Sequence, residues 1–217
     1  MKRMVGRVIP ATPASRIDTM STQVLTLPKP HRPADAIVVL TGLGEDWRLT
    51  QSIETWENSP AARYFLIAGG FSEEETWFEP TLENLSAPPF RLCRHDGVII
   101  LPHAHDSVEQ AQWVTSQFRK LGITSADLYV SPYYLVRAYC TILRSMLKAH
   151  SLVALTPVPV EMWPDTVIPE TKVDSWEMGH GEFERKLKYQ NKGDVATFEE
   201  LRDYLTWLRT SPRYAPA

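Results

Sequence analysis

Cysteine is scarce: 217 residues contain two, Cys93 and Cys140. They lie in unrelated contexts without C-x-x-C or C-x-x-H spacing. That argues against a disulfide framework or a structural zinc and fits a reducing compartment, hence an expected cytoplasmic location. Neither sign of charge dominates, with 23 Lys and Arg against 26 Asp and Glu, a formal net charge of −3. The basic residues are scattered rather than striped, so no electrostatic footprint for nucleic acid exists. Apolar runs are far too short to cross a bilayer, and no membrane partner is expected. Several catalytic signatures are missing as well. Without a G-K-S/T lysine there is no P-loop. Without G-x-S-x-G, Ser131 is not an acyl-transfer nucleophile. No internal repeat or low-complexity tract is present.

What the chain does have is enough apolar matter for a core, 43% hydrophobic residues against 23% charged. That suits one globular domain with an appendage. Residues 1–34 are basic and proline-bearing, lack the apolar centre of a secretory signal, and read as a partly irregular extension with no amphipathic helix through the prolines. From residue 35 to 210 the pattern changes. Five continuously apolar runs, 35–40 (DAIVVL), 63–68 (RYFLIA), 98–101 (VIIL), 127–130 (DLYV) and 152–155 (LVAL), suit strands covered on both faces. Helical periodicity fills 46–58, 107–121 and 133–149. A last helix carries Phe198, Leu201, Leu205 and Leu208 behind a capping box, Thr197-x-x-Glu200. This alternation predicts an α/β, Rossmann-like three-layer fold, a mainly parallel five-stranded sheet with helices on both faces. Two stretches resist: the Glu- and Pro-rich excursion 71–97, expected to hold a short helix, and the start of the C-terminal part 161–210, which turns helical only at "GEFERKLKYQ".

In such sheets ligands bind beyond the carboxyl ends of the strands. "TGLGED" (41–46) places Gly42 and Gly44 after the first strand, where glycine admits a ligand to the backbone or simply makes a tight turn. Gly69 and Gly70 after the second strand carry the same two readings. In "LPHAHDSVEQ", Asp106 falls at a helix N-cap with Glu109 three residues on, a capping-box-like pair that needs no function. His103 and His105 could face one side, but no third ligand stands at a defined spacing, so no metal is expected. His105 is the best available proton-transfer group. In "SPYYLVR", Ser131-Pro132 starts a helix, and Tyr134 and Arg137 share its first-turn face. Arg137 could clamp a carboxylate or phosphate, or equally pair with a neighbouring acid.

The order and spacing of these motifs resemble the YdcF/SanA/ElyC family, a bacterial group of largely unsettled function. The resemblance spans about residues 35–159. It rests on "DAIVVLTGLG" followed by Arg48, on "LIAGG" with a following Glu, on "SVEQA" for T-x-E-N-A, and on S-x-x-Y-x-x-R-A for S-x-x-H-x-x-R-A. It implies a Rossmann-like domain and, through the YdcF branch, S-adenosylmethionine binding. Carried over by position, the site residues are Gly42, Gly44, Arg48, Gly69, Gly70, Asp106, Ser107, Glu109, Gln110, Ser131, Tyr134 and Arg137. Tyr134 replaces the frequent histidine, which removes a neutral-pH acid or base and leaves a hydrogen-bonding phenol. Gln110 lengthens the usual Asn. The expectation is a small-molecule-binding protein whose ligand is anionic or nucleotide-like, with Arg48 and Arg137 neutralising it and Ser107, Gln110 and Tyr134 orienting it. An enzyme and a non-catalytic ligand sensor both remain open.

Overall fold

The computed structural model describes residues 13–215. Five strands, β1 (Ala36–Leu40), β2 (Tyr64–Ala68), β3 (Val98–Leu101), β4 (Ser125–Val130) and β5 (Ala154–Pro159), form one sheet in the order β3-β2-β1-β4-β5. Every neighbouring pair is parallel. Parallel neighbours require crossovers, supplied by α2 (Asp46–Asn58), α3 (Leu82–Ser86), α4 (Ser107–Leu121) and α5 (Pro132–Lys148). The chain winds outwards from β1 in one direction to β3 and then in the other to β5. The reversal between β1 and β4 is the point at which adjacent post-strand loops diverge and leave a crevice.

Successive residues of a strand face opposite sides, and here both sides are covered. Val38 and Leu40 of β1 join a large core with Val114 and Phe118 of α4 and Tyr139 and Leu143 of α5. Ile37 and Val39 join a smaller one with Leu49, Ile53 and Trp56 of α2 and with Leu85 and Leu92 of the excursion. The expected three-layer α/β fold is therefore the observed one. Helices α2 and α4 have the predicted limits. The excursion holds the expected short helix as α3, with Thr81 as its N-cap. The C-terminal helix α6 (Ser175–Lys192) begins earlier than "GEFERKLKYQ", and α7 (Phe198–Thr210) carries the predicted capping box.

One expectation needs correction. The 1–34 extension is not without a helix: α1 (Pro13–Leu25) is helical, and Met20 and Val24 are fully buried in the larger core. The prolines bracket this helix rather than break it. Pro13 is its first residue, where a missing N–H costs nothing, and Pro28, Pro30 and Pro33 follow its end. Residues 1–12 of the extension lie outside the described residues.

Cys93 is exposed and Cys140 lies buried within α5, both as free thiols. Burial pushes the Cys140 thiol up to about 12. Since the thiolate is the reactive form, a chromogenic disulfide reagent is expected to titrate Cys93 in the native protein and Cys140 only after denaturation. Rapid reaction of both in the folded state would contradict this packing.

Candidate functional site

The loops leaving β1, β2 and β3 lie in backbone contact, and this explains their glycines. A Cβ on Gly70 would stand 2.7 Å from the Cα of Gly42, and one on Gly69 would stand 2.1 Å from the carbonyl oxygen of Pro102. The β1 loop itself runs through left-handed conformations, with φ of 139° at Gly42, 59° at Leu43 and 68° at Gly44. The Leu43 N–H so exposed donates to Glu74 Oε2 at 2.7 Å. Gly44 is covered by protein: its Cβ would meet Thr76 at 2.7 Å and Pro169 at 2.9 Å. The Gln110 amide nitrogen, reaching back from the first turn of α4, donates to the carbonyls of Thr41 (3.0 Å), Ala68 (3.2 Å) and Gly69 (2.9 Å). One side chain thereby ties together the ends of β1 and β2.

Asp106 is the N-cap of α4, accepting from the N–H groups of Val108 and Glu109 at 2.8 Å. Glu109 Oε2 accepts from the His105 N–H at 2.7 Å, one residue ahead of the N-cap. Both are accounted for by capping. His105 and His103 are exposed, their ring centres 6.3 Å apart. No group of three or more His, Cys, Asp or Glu is placed to hold a metal among the described residues.

Ser131 and Arg48 meet in a buried polar network beneath the crevice. Arg48 is 2% exposed and turned inward. Its Nε donates to Ser131 Oγ at 2.9 Å, its Nη1 to the Leu40 carbonyl at 3.1 Å, and its Nη2 pairs with Glu45. Ser131 Oγ donates to Glu45 Oε1 at 2.5 Å, and the Tyr133 hydroxyl donates to Glu45 Oε2 at 2.8 Å. Burial draws the Arg48 pKa down, against the opposing effect of the nearby Tyr133, Tyr134 and Glu74. Every polar end in this network is spoken for, so its evident work is to lock the first turns of α2 and α5 together.

Above it lies a cavity of about 230 Å³. Its wall includes Gly42, Gly70, Glu74, Ser107, Tyr134 and Arg137, and on the α6 side Glu182 and Arg185. Arg137 Nε and Nη2 both reach Glu182, at 2.5 and 3.1 Å, while Nη1 donates to Ser107 Oγ at 3.2 Å. Arg185 Nη1 takes the same Glu182 at 2.9 Å. Two guanidiniums lie against the Tyr134 ring, Arg137 at 4.5 Å and Arg48 at 5.4 Å from its centre. Burial raises the Tyr134 phenol, against the opposing effect of Arg137 and Arg48. For Arg137 burial acts downwards, but Tyr134 and Glu182 outweigh it and hold the guanidinium above its usual value. On the β2 side burial raises the Glu74 carboxyl, opposed by its bond from Leu43.

Of the predicted residues, the crevice brings together Gly42, Arg48, Gly70, Asp106, Ser107, Gln110, Tyr134 and Arg137. Gly44, Gly69, Glu109, Ser131 and His105 are not on its wall. Glu45, Glu74, Tyr133, Glu182 and Arg185 were missed. Glu74 follows "LIAGG" and was within reach of the motif, whereas Glu182 lies 45 residues from Arg137 in a stretch whose only sequence signal was helicity. A scan against protein-family models finds no match, and a search of curated proteins finds none either.

Proposed function

We propose that the chain is a YdcF-like protein that binds a small anionic or nucleotide-like ligand in the crevice at the sheet reversal, with S-adenosylmethionine as the candidate that the family resemblance brings. The observation that carries this reading is the Arg137–Glu182–Arg185 arrangement: two guanidiniums share one carboxylate, which leaves a surplus positive charge beside the N-terminal turn of α4. Across the cavity Glu74 offers an acceptor for hydroxyl or ammonium groups. A ligand with an acid at one end and donors at the other suits both walls. The cavity lies just under the range of drug-sized sites, so a molecule as large as S-adenosylmethionine projects from its mouth beside the half-exposed Arg185.

The non-catalytic form of this reading has an observation of its own. His105 is exposed and off the cavity wall, and Arg48 and Ser131 are satisfied by protein partners. What remains on the wall can orient and neutralise a ligand, which is the equipment of a sensor or carrier.

The test is calorimetric titration of S-adenosylmethionine, adenosine nucleotides and a sugar phosphate into the wild type, Arg137→Ala and Arg137→Lys. Alanine is expected to weaken binding by ~1.5–3 kcal/mol, the value of a charge-assisted hydrogen bond. Lysine is expected to recover little, because an ammonium lacks the planar fork. Unchanged affinity in Arg137→Ala would remove the anion site, and no binding by the wild type would remove the ligand classes named.

A further inference from the structure

A second cavity, of about 720 Å³, lies beside the crevice and shares Tyr133, Arg137 and Glu182 with it. It is bounded by α1, α5, α6 and the irregular stretch before α6. Leu25, Val136, Met162, Pro164, Trp176 and Phe183 make its walls mainly apolar. These walls grade from a wet rim to a dry floor. Leu25 and Trp176 are 55% and 68% exposed, whereas the side chains of Arg137 and Glu182 are 15% and 7% exposed. Helix α6 passes the cavity at Gly179. A Cβ there would meet only Tyr133, at 3.8 Å, so any larger side chain would grow into the free space. Glycine is the poorest helix former after proline. Its presence in mid-helix, with ordinary backbone and no close neighbour demanding it, keeps the cavity open at the expense of the helix.

We propose that this cavity is a binding site for a small amphipathic acid, an alkyl or aryl chain ending in a carboxylate, with the chain along the α1–α6 walls and the carboxylate at Arg137. Apolar walls of this extent select a hydrophobic body. The charge behind the floor selects the sign of the head: Glu182 on the floor is shared by Arg137, also on the floor, and by Arg185, which lies on the side of the neighbouring crevice, so the two guanidiniums outnumber it by one. An ammonium head would face that surplus.

The probes are hexanoate, octanoate and decanoate, titrated below their micelle concentrations into the full chain, with decylammonium as the head-group control. Each added methylene is expected to tighten binding about fourfold, the equivalent of ~0.8 kcal/mol per buried CH₂. Decylammonium is expected to bind about tenfold more weakly than decanoate or worse, a difference of about 1.4 kcal/mol. Gly179→Leu is expected to lose decanoate binding by about tenfold or more while melting no lower than the wild type, since it fills a void and removes a helical glycine. Should that variant fold poorly, Trp176→Ala at the exposed rim tests the same site, with a several-fold loss expected. Decanoate binding that ignores chain length, tolerates Gly179→Leu or Trp176→Ala, or is matched by decylammonium would overturn the proposal, as would no binding at all. Gly179→Leu leaves the polar crevice open, so its titration with S-adenosylmethionine reports on that site separately.

Discussion

Replacing Glu45 by alanine is expected to cost about 3–5 kcal/mol of stability, the penalty for stranding one member of a buried ion pair. The Glu45 side chain is fully buried and that of Arg48 nearly so. Removing the carboxylate leaves the Arg48 guanidinium in a dry interior and takes the acceptor from the hydroxyls of Ser131 and Tyr133. For a chain of this size the loss corresponds to a melting temperature lower by roughly 6–20 °C. Denaturant unfolding of Glu45→Ala, Arg48→Met and the double variant Glu45→Leu/Arg48→Met checks it. The double variant is expected to lose less than either single one, because no charge is left unmatched. A loss under about 1 kcal/mol in Glu45→Ala would mean that the network contributes little, contrary to its burial.

Gly69→Ala is the second large effect, about 3 kcal/mol, at the top of the usual range for overpacking. The added methyl would stand 2.1 Å from a backbone oxygen and 2.6 Å from another, those of Pro102 and Leu101, so the β2 and β3 loops must part. Gly122→Ala is the control. Gly122 sits at φ 62° at the end of α4 with nothing within 4 Å of its Cβ, so its cost of ~1–2 kcal/mol is conformational alone. The two substitutions also separate in function. Gly69→Ala disturbs the loop junction under the crevice and is expected to lose ligand, while Gly122→Ala is not. Equal destabilisation by the two would show that loop packing is looser than described.

The sheet was legible because its strands are buried on both sides. DAIVVL and RYFLIA carry no alternation that could suggest a solvent face, and between them "DWRLTQSIETWEN" repeats Leu49, Ile53 and Trp56 at helical spacing. Strand limits were less legible where chemistry is atypical. β5 runs on to Pro159 through Pro157, residues tolerated because this is an edge strand with no neighbour beyond it. Helix α1 is hard to see in the sequence because proline reads as a helix breaker, whereas here the prolines stand at its first residue and beyond its end. That the loops after β1, β2 and β3 and the start of α5 meet around one cavity follows from topology. The partners within it do not. Nothing local ties Glu182 to Arg137 or Glu45 to Ser131, pairs separated by 45 and 86 positions, and only folding reveals that the two arginines read as ligand clamps already hold carboxylates.

The docking of α1 has a consequence for the order of assembly in the cell. Met20 and Val24 belong to the same core as Leu201, Leu205 and Leu208 of α7. Helix α1, made before the other described helices, therefore has its seat completed by α7, made after them. Until α7 emerges, α1 has an incomplete apolar surface to rest on, and its closure over the sheet is a long-range contact of the slowest kind. A nascent chain stalled before α7 is expected to present that greasy stripe to holdase chaperones, and emergence of α7 to hide it.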